Sequence, residues 1–432
     1  MRILLLGASG FIGSALATAL VAEGYEVLGL TREPSRVSRS MSQVMWRKVD
    51  LAKLQSAASW ESLLVGIDCV VNASGALQSG VRDDLEAVQA SAIKALIEAS
   101  VSKETGHFVQ ISAPDADAQR TNPFMTTKVD ADAALIESGL TYTILRPGLV
   151  IGRNAYGGSE LIRAAAGVPF FAIDIARLPP IRCIGMDDVV EAVVRAIDDP
   201  NGRRGDFDLV ERDARSLGAI IDAHRAWLGF APPRWRVHMA DAALDALARV
   251  ADALGWLGWR SPLRSNAIAA LRHGIDGDHQ RTAATIGREP RGLPDILAAQ
   301  PAGKADRWHA RLAGVFPLAM VSLVLLWSVS GFLGLIEIER ASSLLVEGGV
   351  RSGLAHVLVL GGSLADLAIA IGLSIRASAR MALTASLALA SCYLLASLLL
   401  RPGLWIDPLA PMVKVLPVLA LTLACLAMAE ER

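Results

Sequence analysis

The apolar and polar positions at the start of the chain fall into four short segments. The apolar run ILLL (3–6) is followed by the glycine-containing segment GASGFIG (7–13), by Ala and Leu residues at helical spacing in SALATALVAEGY (14–25), and by a second apolar run in EVLGLTR (26–32). Short apolar runs bounded by turn residues are typical of buried strands, whereas apolar residues three and four apart indicate a helix. The pattern therefore predicts a strand, a tight turn, a helix that ends near Gly24, and a second strand.

The same alternation continues for about a hundred residues. Further strands are predicted in VMWRKVDL (44–51), DCVVNASG (68–75) and HFVQISA (107–113), with a helix over LEAVQASAIKALIEAS (85–100). Strands that alternate with helices form βαβ units, and these build a parallel sheet with helices on both faces. The predicted fold of this part is therefore α/β, a Rossmann-type doubly wound parallel sheet.

The C-terminal part has a different pattern, with four long apolar segments at 312–336, 353–375, 381–400 and 409–429. A bilayer core of about 30 Å requires about 20 apolar residues per helix. The first and third segments contain no charged residue, the second contains His356 and Asp366, and the fourth contains Lys414. We therefore predict an all-α bundle of four transmembrane helices, in which Asp366 pairs with Lys414 or contacts His356 to reduce the cost of its burial.

These patterns divide the chain into three parts: an α/β domain with a substrate lobe at 1–235, a helical linker at 236–308, and a membrane domain at 309–432. Within the linker, MADAALDALARVADALGWLGWRSPL (239–263) reads as an amphipathic helix with Trp256 and Trp259 at its end. Tryptophan is enriched at the lipid headgroup layer. The helix is thus expected either to lie along a membrane surface or to pack on the first domain.

The first strand, turn and helix form the unit that holds a pyrophosphate in many proteins. Gly7 would allow the turn, Gly10 would let the backbone approach the phosphates, and Gly13 would let the helix pack on the strand. The helix N-terminus would present free amides to the anion. At the end of the second strand, where an acidic residue would select NAD, the chain has Thr31, Arg32 and later Arg36, so NADP is favoured and NAD remains an alternative because Glu33 is close by.

Five motifs in order resemble the atypical or extended branch of the short-chain dehydrogenase/reductase superfamily. They are GASGFIG, VVNASG (70–75), FVQISA (108–113), FMTTK (124–128) and YTILRPGLVIG (142–152), and CIGMDDVVEAVVRAI (183–197) resembles a later stretch of that family. The resemblance covers roughly residues 1–210. It implies a cofactor site formed by Gly7, Ser9, Gly10, Phe11, Ile12, Gly13, Arg32, Asp50, Leu51, Ala73, Ser74, Gly75, Lys128 and Pro147.

The resemblance also implies catalytic residues, but one of them is missing. In the family, a tyrosine acts as general acid and base, a lysine four residues later holds the nicotinamide ribose, and a serine orients the substrate. Lys128 and Ser112 match, whereas Phe124 replaces the tyrosine and cannot transfer a proton. Three alternatives follow: Tyr156 supplies the proton, the acceptor is electron-poor (such as a quinone) and needs no tyrosine, or the domain binds NADP(H) without turnover, like the NmrA-like redox sensors and the nucleotide-binding accessory subunit of respiratory complex I.

The segment GGSLADLAIAIG (361–372) and the predicted layout of four helices resemble the DoxX-like membrane domains. Basic residues precede the first apolar segment (Lys304, Arg307, Arg311) and fill the turn between the second and third (Arg376, Arg380). Loops rich in Lys and Arg remain in the cytoplasm. We therefore expect a multi-pass protein of the inner membrane whose N-terminal domain and C-terminus are cytoplasmic.

Composition narrows the possible partners. The net charge of -1 and the lack of a basic stripe argue against nucleic acid, and the sequence shows no metal-ligand cluster and no flavin motif. The four cysteines are widely spaced and are expected to be buried free thiols. The leading hypothesis is a membrane-anchored NAD(P)H-dependent reductase of a hydrophobic small molecule such as a quinone, lipid or isoprenoid. A non-catalytic NADP(H) sensor or assembly protein is the alternative, and a sugar-nucleotide epimerase, which needs the tyrosine most, ranks third.

Overall fold

The structure is a computed structural model that describes residues 1–39, 41–75, 84–114, 122–175, 178–201, 204–259, 261, 263–408 and 410–429. The chain divides into two compact units. The first unit comprises Met1–Gly255 and Ser261–Ala310, and the second comprises Trp256–Arg260 and Arg311–Arg432. Most of the segment predicted as a linker therefore belongs to the first unit.

The first unit is built on a parallel sheet of seven strands. They are β1 (Arg2–Leu6), β2 (Glu26–Thr31), β3 (Met45–Lys48), β4 (Cys69–Asn72), β5 (His107–Ile111), β6 (Tyr142–Pro147) and β10 (Gly205–Leu209), and their order across the sheet is β10-β6-β5-β4-β1-β2-β3. Two parallel pairs of strands lie outside this sheet: β7 (Leu149–Ile151) with β9 (Cys183–Gly185), and β8 (Phe171–Asp174) with β11 (Trp235–His238). The predicted doubly wound α/β fold is confirmed.

The helices of the first unit connect these strands and cover the sheet. They are α1 (Phe11–Ala22), α2 (Pro34–Val37), α3 (Ala57–Trp60), α4 (Ala92–Ser102), α5 (Pro123–Glu137), α6 (Gly158–Gly167), α7 (Met186–Asp198), α8 (Leu217–Trp227), α9 (Asp241–Trp256), α10 (Ser265–His273), α11 (His279–Ile286) and α12 (Leu293–Ala298). A 3₁₀ turn at Leu51–Lys53 and a π-helical segment at Glu86–Ser91, which continues into α4, complete the set.

Alternate residues of the central strands form two separate cores. Ile3 and Leu5 of β1 pack with residues of α1 and α7 on one face of the sheet, whereas Leu4 and Leu6 pack with residues of α4 and α5 on the other. Successive side chains of a strand point to opposite faces, so a strand covered on both sides must be apolar throughout. This explains the uninterrupted run ILLL.

The second unit is helical. It contains α14 (Ile338–Glu347), α15 (Ser352–Ser374), α16 (Ala379–Leu400), α17 (Gly403–Ile406), α18 (Val415–Ala429) and most of α13 (Lys304–Ile336). Three described helices, α13, α15 and α16, are long and apolar enough to cross a membrane. Between the first two of these long helices lies the shorter helix α14.

The fourth predicted span differs from the structure. The segment 409–429 forms a helix only from Val415, and the 15 residues of α18 rise about 22 Å, which is less than a bilayer core of about 30 Å. Pro408 and Pro411 lie before this helix, and proline lacks the amide that a helix interior needs. Among the residues described, three helices therefore have the length of a full span, and α18 is a shorter apolar helix.

The cysteine prediction needs a smaller correction. Cys69, Cys183 and Cys425 are buried free thiols, but Cys392 is exposed on α16. A thiol behaves as a small apolar group, so it is compatible with the lipid-facing side of an apolar helix.

Two buried histidines make the stability of the first unit sensitive to acid. Burial lowers the pKa of His107 and of His224 from 6.5 to about 4. Both rings are therefore neutral in the folded state, and their stabilising contribution is complete above pH 6.5 and is lost as the pH falls to about 4, by about 1.4 kcal/mol per pH unit for each group. We expect the unfolding temperature, followed by tryptophan fluorescence, to fall over this window.

Replacement of both rings with glutamine should flatten that pH dependence, because glutamine does not titrate. His273→Gln is the matched control, since His273 is exposed and its replacement should leave the slope unchanged. An equally steep slope in the double variant would assign the acid sensitivity to other groups.

Candidate functional site

The three glycines of the first turn lie where no side chain fits. Gly7 has a φ of +68°, and a Cβ atom there would lie 2.6 Å from the carbonyl oxygen of Ala73. A Cβ atom at Gly13 would lie 2.0 Å from the carbonyl oxygen of Gly7, and one at Gly10 would lie 3.1 Å from the same atom. The Gly10 amide donates to that oxygen at 2.8 Å, which closes the turn. Packing of helix against turn therefore requires glycine at 7 and 13.

The N-terminus of α1 is open to a ligand. Gly10 precedes the helix without a side-chain cap, and the first turn contains no acidic residue. Its first amides are thus available to an anion, and the helix dipole favours negative charge at this end. Phe11 and Ile12, the first residues of the helix, are both partly exposed, and Ser9 in the turn is exposed.

The sheet order places the glycine turn beside the loop after β4. β1 pairs with β2 on one side and with β4 on the other, so the direction of winding reverses between β1 and β4. Ligands of doubly wound sheets bind at this switch point, outside the carboxyl ends of the strands. Ala73, Ser74 and Gly75 follow β4 at this position, and Ala73 touches Gly7 as described above.

The end of β2 carries the residues expected to select the cofactor. Thr31 is buried, and its hydroxyl lies 3.2 Å from that of Ser9 in the glycine turn. Arg32 is exposed immediately after it, and Asp50 and Leu51 after β3 are partly exposed. The chain thus has no carboxylate at the last residue of β2, where one would bind a ribose 2′-hydroxyl.

Lys128 on α5 connects the ends of two strands. Its Nζ donates to the carbonyl oxygens of Ser74 at 3.1 Å and Ile111 at 2.9 Å, and the side chain is buried. An ammonium has three N–H donors, so one remains for a ligand in the crevice. Burial lowers the pKa of Lys128 from 10.5 to about 8, and nearby Asp132 opposes this shift. The amine is therefore mostly charged at neutral pH and neutral above about pH 8.

Ser112 donates a hydrogen bond to Asp132, a residue that was not predicted as part of the site. Its Oγ donates to Oδ2 of Asp132 at 2.6 Å, and both side chains are buried. Arg146 on β6 lies 3.7 Å from the same carboxylate oxygen and also pairs with Asp206. Because the Ser112 proton points to Asp132, the serine oxygen offers lone pairs rather than a proton to a ligand.

Phe124, which replaces the family's tyrosine, and Tyr156, the alternative proton donor, lie in different places. Phe124, in the first turn of α5, packs with Ala113, Met125 and Val129 next to Ser112. Tyr156 is exposed and its ring lies 6.4 Å from that of Phe11 at the start of α1. Among the described residues, the hydrogen bonds of Ser112 and Lys128 do not involve the Tyr156 hydroxyl. The structure thus brings together Ser112, Lys128 and Phe124, and places Tyr156 at the glycine turn.

Three buried polar residues next to the crevice, Asn72, Ser74 and Gln110, are linked by hydrogen bonds that were also not predicted from the sequence. Asn72, the last residue of β4, donates to Oε1 of Gln110 at 2.8 Å and accepts from the amide and hydroxyl of Ser74. These bonds fix the carbonyl of Ser74, to which Lys128 binds. The sequence contains a signal for these residues: Asp132 lies one helical turn after Lys128, and Asn72 and Gln110 are polar residues inside apolar strands.

Pro147, at the end of β6, is buried opposite Leu209 of β10.

A groove of the first unit begins at Phe11, at the start of α1. It has a volume of about 1060 Å³ and runs along α1 and α7, where it is lined by Ser14, Thr18, Asp187 and Glu191 among others. Its lining does not include Gly7, Ser112 or Lys128. The glycine turn and the residues bound by Lys128 lie instead at the carboxyl ends of β1, β4 and β5, where ligands of doubly wound sheets bind.

In the second unit, the partners of Asp366 differ from both predicted ones. Asp366 accepts hydrogen bonds from Ser330 at 2.5 Å and from Tyr393 at 2.8 Å. His356 instead faces Glu339 at 3.6 Å. His356 is ten residues, more than two turns, from Asp366 on α15, and Lys414 lies before α18; the hydrogen bonds of Asp366 described here involve neither residue.

In its fold and in the arrangement of these residues, the first unit resembles the NAD(P)-binding Rossmann domains of the short-chain dehydrogenase/reductase superfamily, and an apolar helical domain follows it. Residues 7–200 match a family model described as NAD(P)H-binding, and residues 324–423 match that of the DoxX-like family. The predicted resemblances are confirmed for both parts, and the DoxX-like match together with three long apolar helices indicates a membrane protein.

Three curated relatives each match about half of the chain. An uncharacterized sugar epimerase of Bacillus subtilis is 27% identical over 227 residues, 51% of this chain and 99% of that protein. Divinyl chlorophyllide a 8-vinyl-reductase of Cucumis sativus is 25% identical over 211 residues, 45% of this chain and 49% of that protein. The photosystem II assembly factor Ycf39 of Cyanidium caldarium is 22% identical over 235 residues, 54% of this chain and 73% of that protein.

Solved structures give the same fold. An NADPH-dependent quinone oxidoreductase of Escherichia coli, complexed with NADPH, superposes with a TM-score of 0.53 at 19% identity, over 69% of this chain and 99% of that chain. At this identity the likeness establishes the fold alone. The family match and the fold support a nicotinamide cofactor.

Proposed function

We propose that the protein is a membrane-anchored NAD(P)H-dependent reductase whose acceptor is a lipid-soluble, electron-poor molecule of the quinone class. The observation that carries this proposal is the pairing of Lys128 with Phe124. Lys128 is held at the ends of β4 and β5 beside the glycine turn, while a phenyl ring occupies the position of the usual proton donor. Among the described residues, the crevice has the groups that we propose hold the cofactor, and the position four residues before Lys128 has no hydroxyl acid.

The chemistry follows from the groups present. Transfer of a hydride from NADPH to a quinone gives NADP⁺ and a hydroquinone anion, and one further proton from water or Lys128 completes the hydroquinone. A quinone oxygen that gains negative charge is stabilised by conjugation through the ring, so it does not need a hydroxyl acid in contact with it. The charged Lys128 would hold the ribose and stabilise the developing anion. Ser112, whose proton is directed to Asp132, would accept a hydrogen bond rather than protonate the product.

The membrane helices explain why such an enzyme would be anchored. An acceptor that partitions into lipid is found where α13, α15 and α16 hold the chain. The basic residues before the apolar part of α13 and in the turn after α15 favour a cytoplasmic first unit in the inner membrane, where NADPH is available. A cytoplasmic C-terminus requires in addition that the short α18 cross with the turns before it.

We further infer that NADP is preferred over NAD. Thr31 ends β2 where an acidic residue would bind the 2′-hydroxyl, and Arg32 follows it at the surface. The purified protein should bind NADPH more tightly than NADH, and Arg32→Ala should reduce that preference. An unchanged preference in Arg32→Ala would remove Arg32 from the site.

The central experiment measures NADPH absorbance with detergent-solubilised protein and a short-chain quinone. We expect turnover in the wild type, a loss of turnover in Lys128→Ala, and a change of no more than a few-fold in Phe124→Tyr, because the proposed acceptor does not need the added hydroxyl. NADPH oxidation at the same rate without any lipid-soluble acceptor would contradict the proposal.

The second candidate is a nucleotide-binding sensor or assembly protein that does not turn over its cofactor. Phe124 favours it, because a binding protein has no need for a general acid, and the similarity to the assembly factor Ycf39 is in line with it. Tight NADPH binding without oxidation by quinones of several chain lengths would support this candidate against the reductase.

We also propose that α9 lies against the lipid headgroup layer. One face of this helix, Leu244, Ala248, Ala251 and Gly255, is buried, and Leu244 and Ala248 pack with Ile175, Met239 and Ile268 of the first unit. A second face, Leu247, Val250 and Leu254, is apolar and exposed. Within the second unit, Trp259, three residues after the end of α9 in sequence, donates to the carbonyl of Ser374 at the end of α15.

This contact is testable with a fluorescent label on the full chain in lipid nanodiscs. In a Cys392→Ser background, we expect a label on Val250→Cys to be quenched by nitroxide-labelled lipid headgroups several-fold more than one on Val101→Cys. Val101 is the matched control because it is also a helical valine of the first unit that is about half exposed. Equal quenching at the two positions would show that α9 does not touch lipid.

A further inference from the structure

A carboxylate is buried in the middle of the apolar helices of the second unit. Asp366 on α15 is 3% exposed, and α15 is one of the three helices long and apolar enough to cross a membrane. Charged groups within such segments are costly and are retained where they have a partner or a function. The proposed reductase activity, which resides in the first unit, does not use Asp366.

Three helices converge on this carboxylate. Ser330 of α13 binds one oxygen at 2.5 Å, and Tyr393 of α16 binds the other at 2.8 Å. Trp327 of α13 lies with its ring 6.4 Å from that of Tyr393 and donates to Ser386 of α16 at 2.9 Å. The carboxylate is therefore held by hydroxyl groups from two helices other than its own.

Glycines pack the surrounding backbone closely. A Cβ atom at Gly331 would lie 2.7 Å from Leu367 and 3.1 Å from Cβ of Asp366, and one at Gly362 would lie 2.9 Å from the Tyr393 hydroxyl. Close approach through small residues is how helices associate in lipid. The positions of the three polar groups are thus fixed by packing, and a ligand that binds here must be very small.

Hydroxyl partners satisfy a carboxyl group in both of its protonation states. With Asp366 ionised, Ser330 and Tyr393 both donate to it. With Asp366 protonated, its own O–H donates and the hydroxyl it faces rotates to accept, since a hydroxyl is both donor and acceptor. No heavy atom has to move. Ammonium or guanidinium partners, by contrast, can only donate and would favour the ionised state.

Few other ionisable groups lie near Asp366 that would favour its ionised or its protonated state. No Asp, Glu, Lys, Arg or His lies in α13 between Arg311 and Ile336, and α16 has none between Arg380 and Leu400. On α15 itself, His356 is more than two turns away and faces Glu339. Tyr393, adjacent in sequence to Cys392, is the titratable group in hydrogen-bond contact with Asp366 among the described residues.

We propose that Asp366, Ser330 and Tyr393 form a proton-binding site of the DoxX-like domain. Asp366 gains and loses one proton, and the hydroxyl that faces the protonated oxygen reverses its hydrogen bond as it does so, while the other hydroxyl continues to donate. The ligand is the proton alone, because the packing leaves the three groups in direct contact. This inference is independent of the proposed reductase activity and stands or falls on the chemistry of the second unit.

Infrared difference spectroscopy of the full-length protein in nanodiscs tests the site. As the pH is lowered from alkaline to acid, the wild type should gain the C=O band of a protonated carboxyl that is absent from Asp366→Asn and present in Glu339→Gln. Glu339 is the control because its carboxylate is exposed. Tyr393→Phe should shift the midpoint of this band to higher pH, since the ionised form loses one of its two donors.

A wild-type spectrum that coincides with that of Asp366→Asn over the whole range would overturn the proposal, because the carboxyl would then be a fixed packing contact. The same conclusion would follow if Tyr393→Phe and Ser330→Ala both left the midpoint of the wild-type band unchanged. These two variants decide the matter even if Asp366→Asn does not assemble.

Discussion

Gly13→Ala is expected to abolish measurable NADPH binding by the full-length protein. The added Cβ would lie 2.0 Å from the carbonyl oxygen of Gly7, so α1 must move away from the turn that should hold the pyrophosphate. Hydrogen bonds to a charged group contribute about 1.5–3 kcal/mol each, so loss of two amide contacts to phosphate would weaken binding by about 100-fold or more. The crowding should also destabilise the first unit by about 1–3 kcal/mol. Isothermal titration with NADPH and thermal unfolding measure the two effects.

A second helical glycine provides the control for this variant. A Cβ atom at Gly361 of α15 would meet no neighbouring atom within 4 Å. Gly361→Ala should therefore leave both the NADPH affinity and the thermal unfolding of the first unit unchanged. Wild-type NADPH affinity in Gly13→Ala would mean that the glycine turn is an ordinary connection between strand and helix.

Lys128→Met should weaken NADPH binding by about 10- to 100-fold while the protein remains folded. Methionine fills similar space but cannot donate to the carbonyls of Ser74 and Ile111 or to a ribose, and one lost hydrogen bond from a charged donor contributes about 1.5–3 kcal/mol. Lys94→Met is the matched control, because Lys94 is an exposed lysine that pairs with Asp130 at 4.0 Å. Its replacement should leave the affinity unchanged.

The pH dependence of binding provides a second readout of the same lysine. Since the pKa of Lys128 is lowered to about 8, the amine loses its charge as the pH rises through that value. NADPH affinity of the wild type should therefore decrease above about pH 8, and Lys128→Met should lack this decrease. A wild-type affinity that is flat to pH 10.5, the unshifted value for lysine, would exclude a charged Lys128 from the cofactor contact.

The parts of the fold that were predictable from the sequence are those set by local patterns. The buried strands read as short apolar runs because both faces of the sheet are covered, and GASGFIG marked the first turn because only glycine fits at Gly7 and Gly13. The three long apolar helices followed from length and composition. Each of these features is fixed by residues close together in the chain.

The features that escaped prediction depend on contacts between distant segments. The bond of Ser112 to Asp132 joins the end of β5 to the middle of α5, and its existence depends on how that helix packs. Likewise, Ser330 and Tyr393 are ordinary residues in their own helices and become partners of Asp366 only when three helices meet. The sequence analysis predicted Lys414 or His356 as the partner of Asp366 because these are the basic side chains within the apolar segments. The sequence analysis placed the start of the last helix at residue 409, whereas α18 begins at Val415. Hydropathy shows that a segment is apolar but not at which residue its helix begins.

The most direct test of the central claim is a single-turnover measurement with excess full-length protein in nanodiscs. NADPH absorbance is followed after mixing, in discs with and without a lipid-soluble quinone, and the experiment is repeated with deuterium at the transferred position of the nicotinamide. We predict a rapid loss of NADPH only in discs that contain quinone, slowed by deuterium and absent in Lys128→Met. Bound NADPH that remains reduced in quinone-containing discs, or that is oxidised equally fast without quinone, would contradict the assignment as a reductase of a membrane-soluble acceptor.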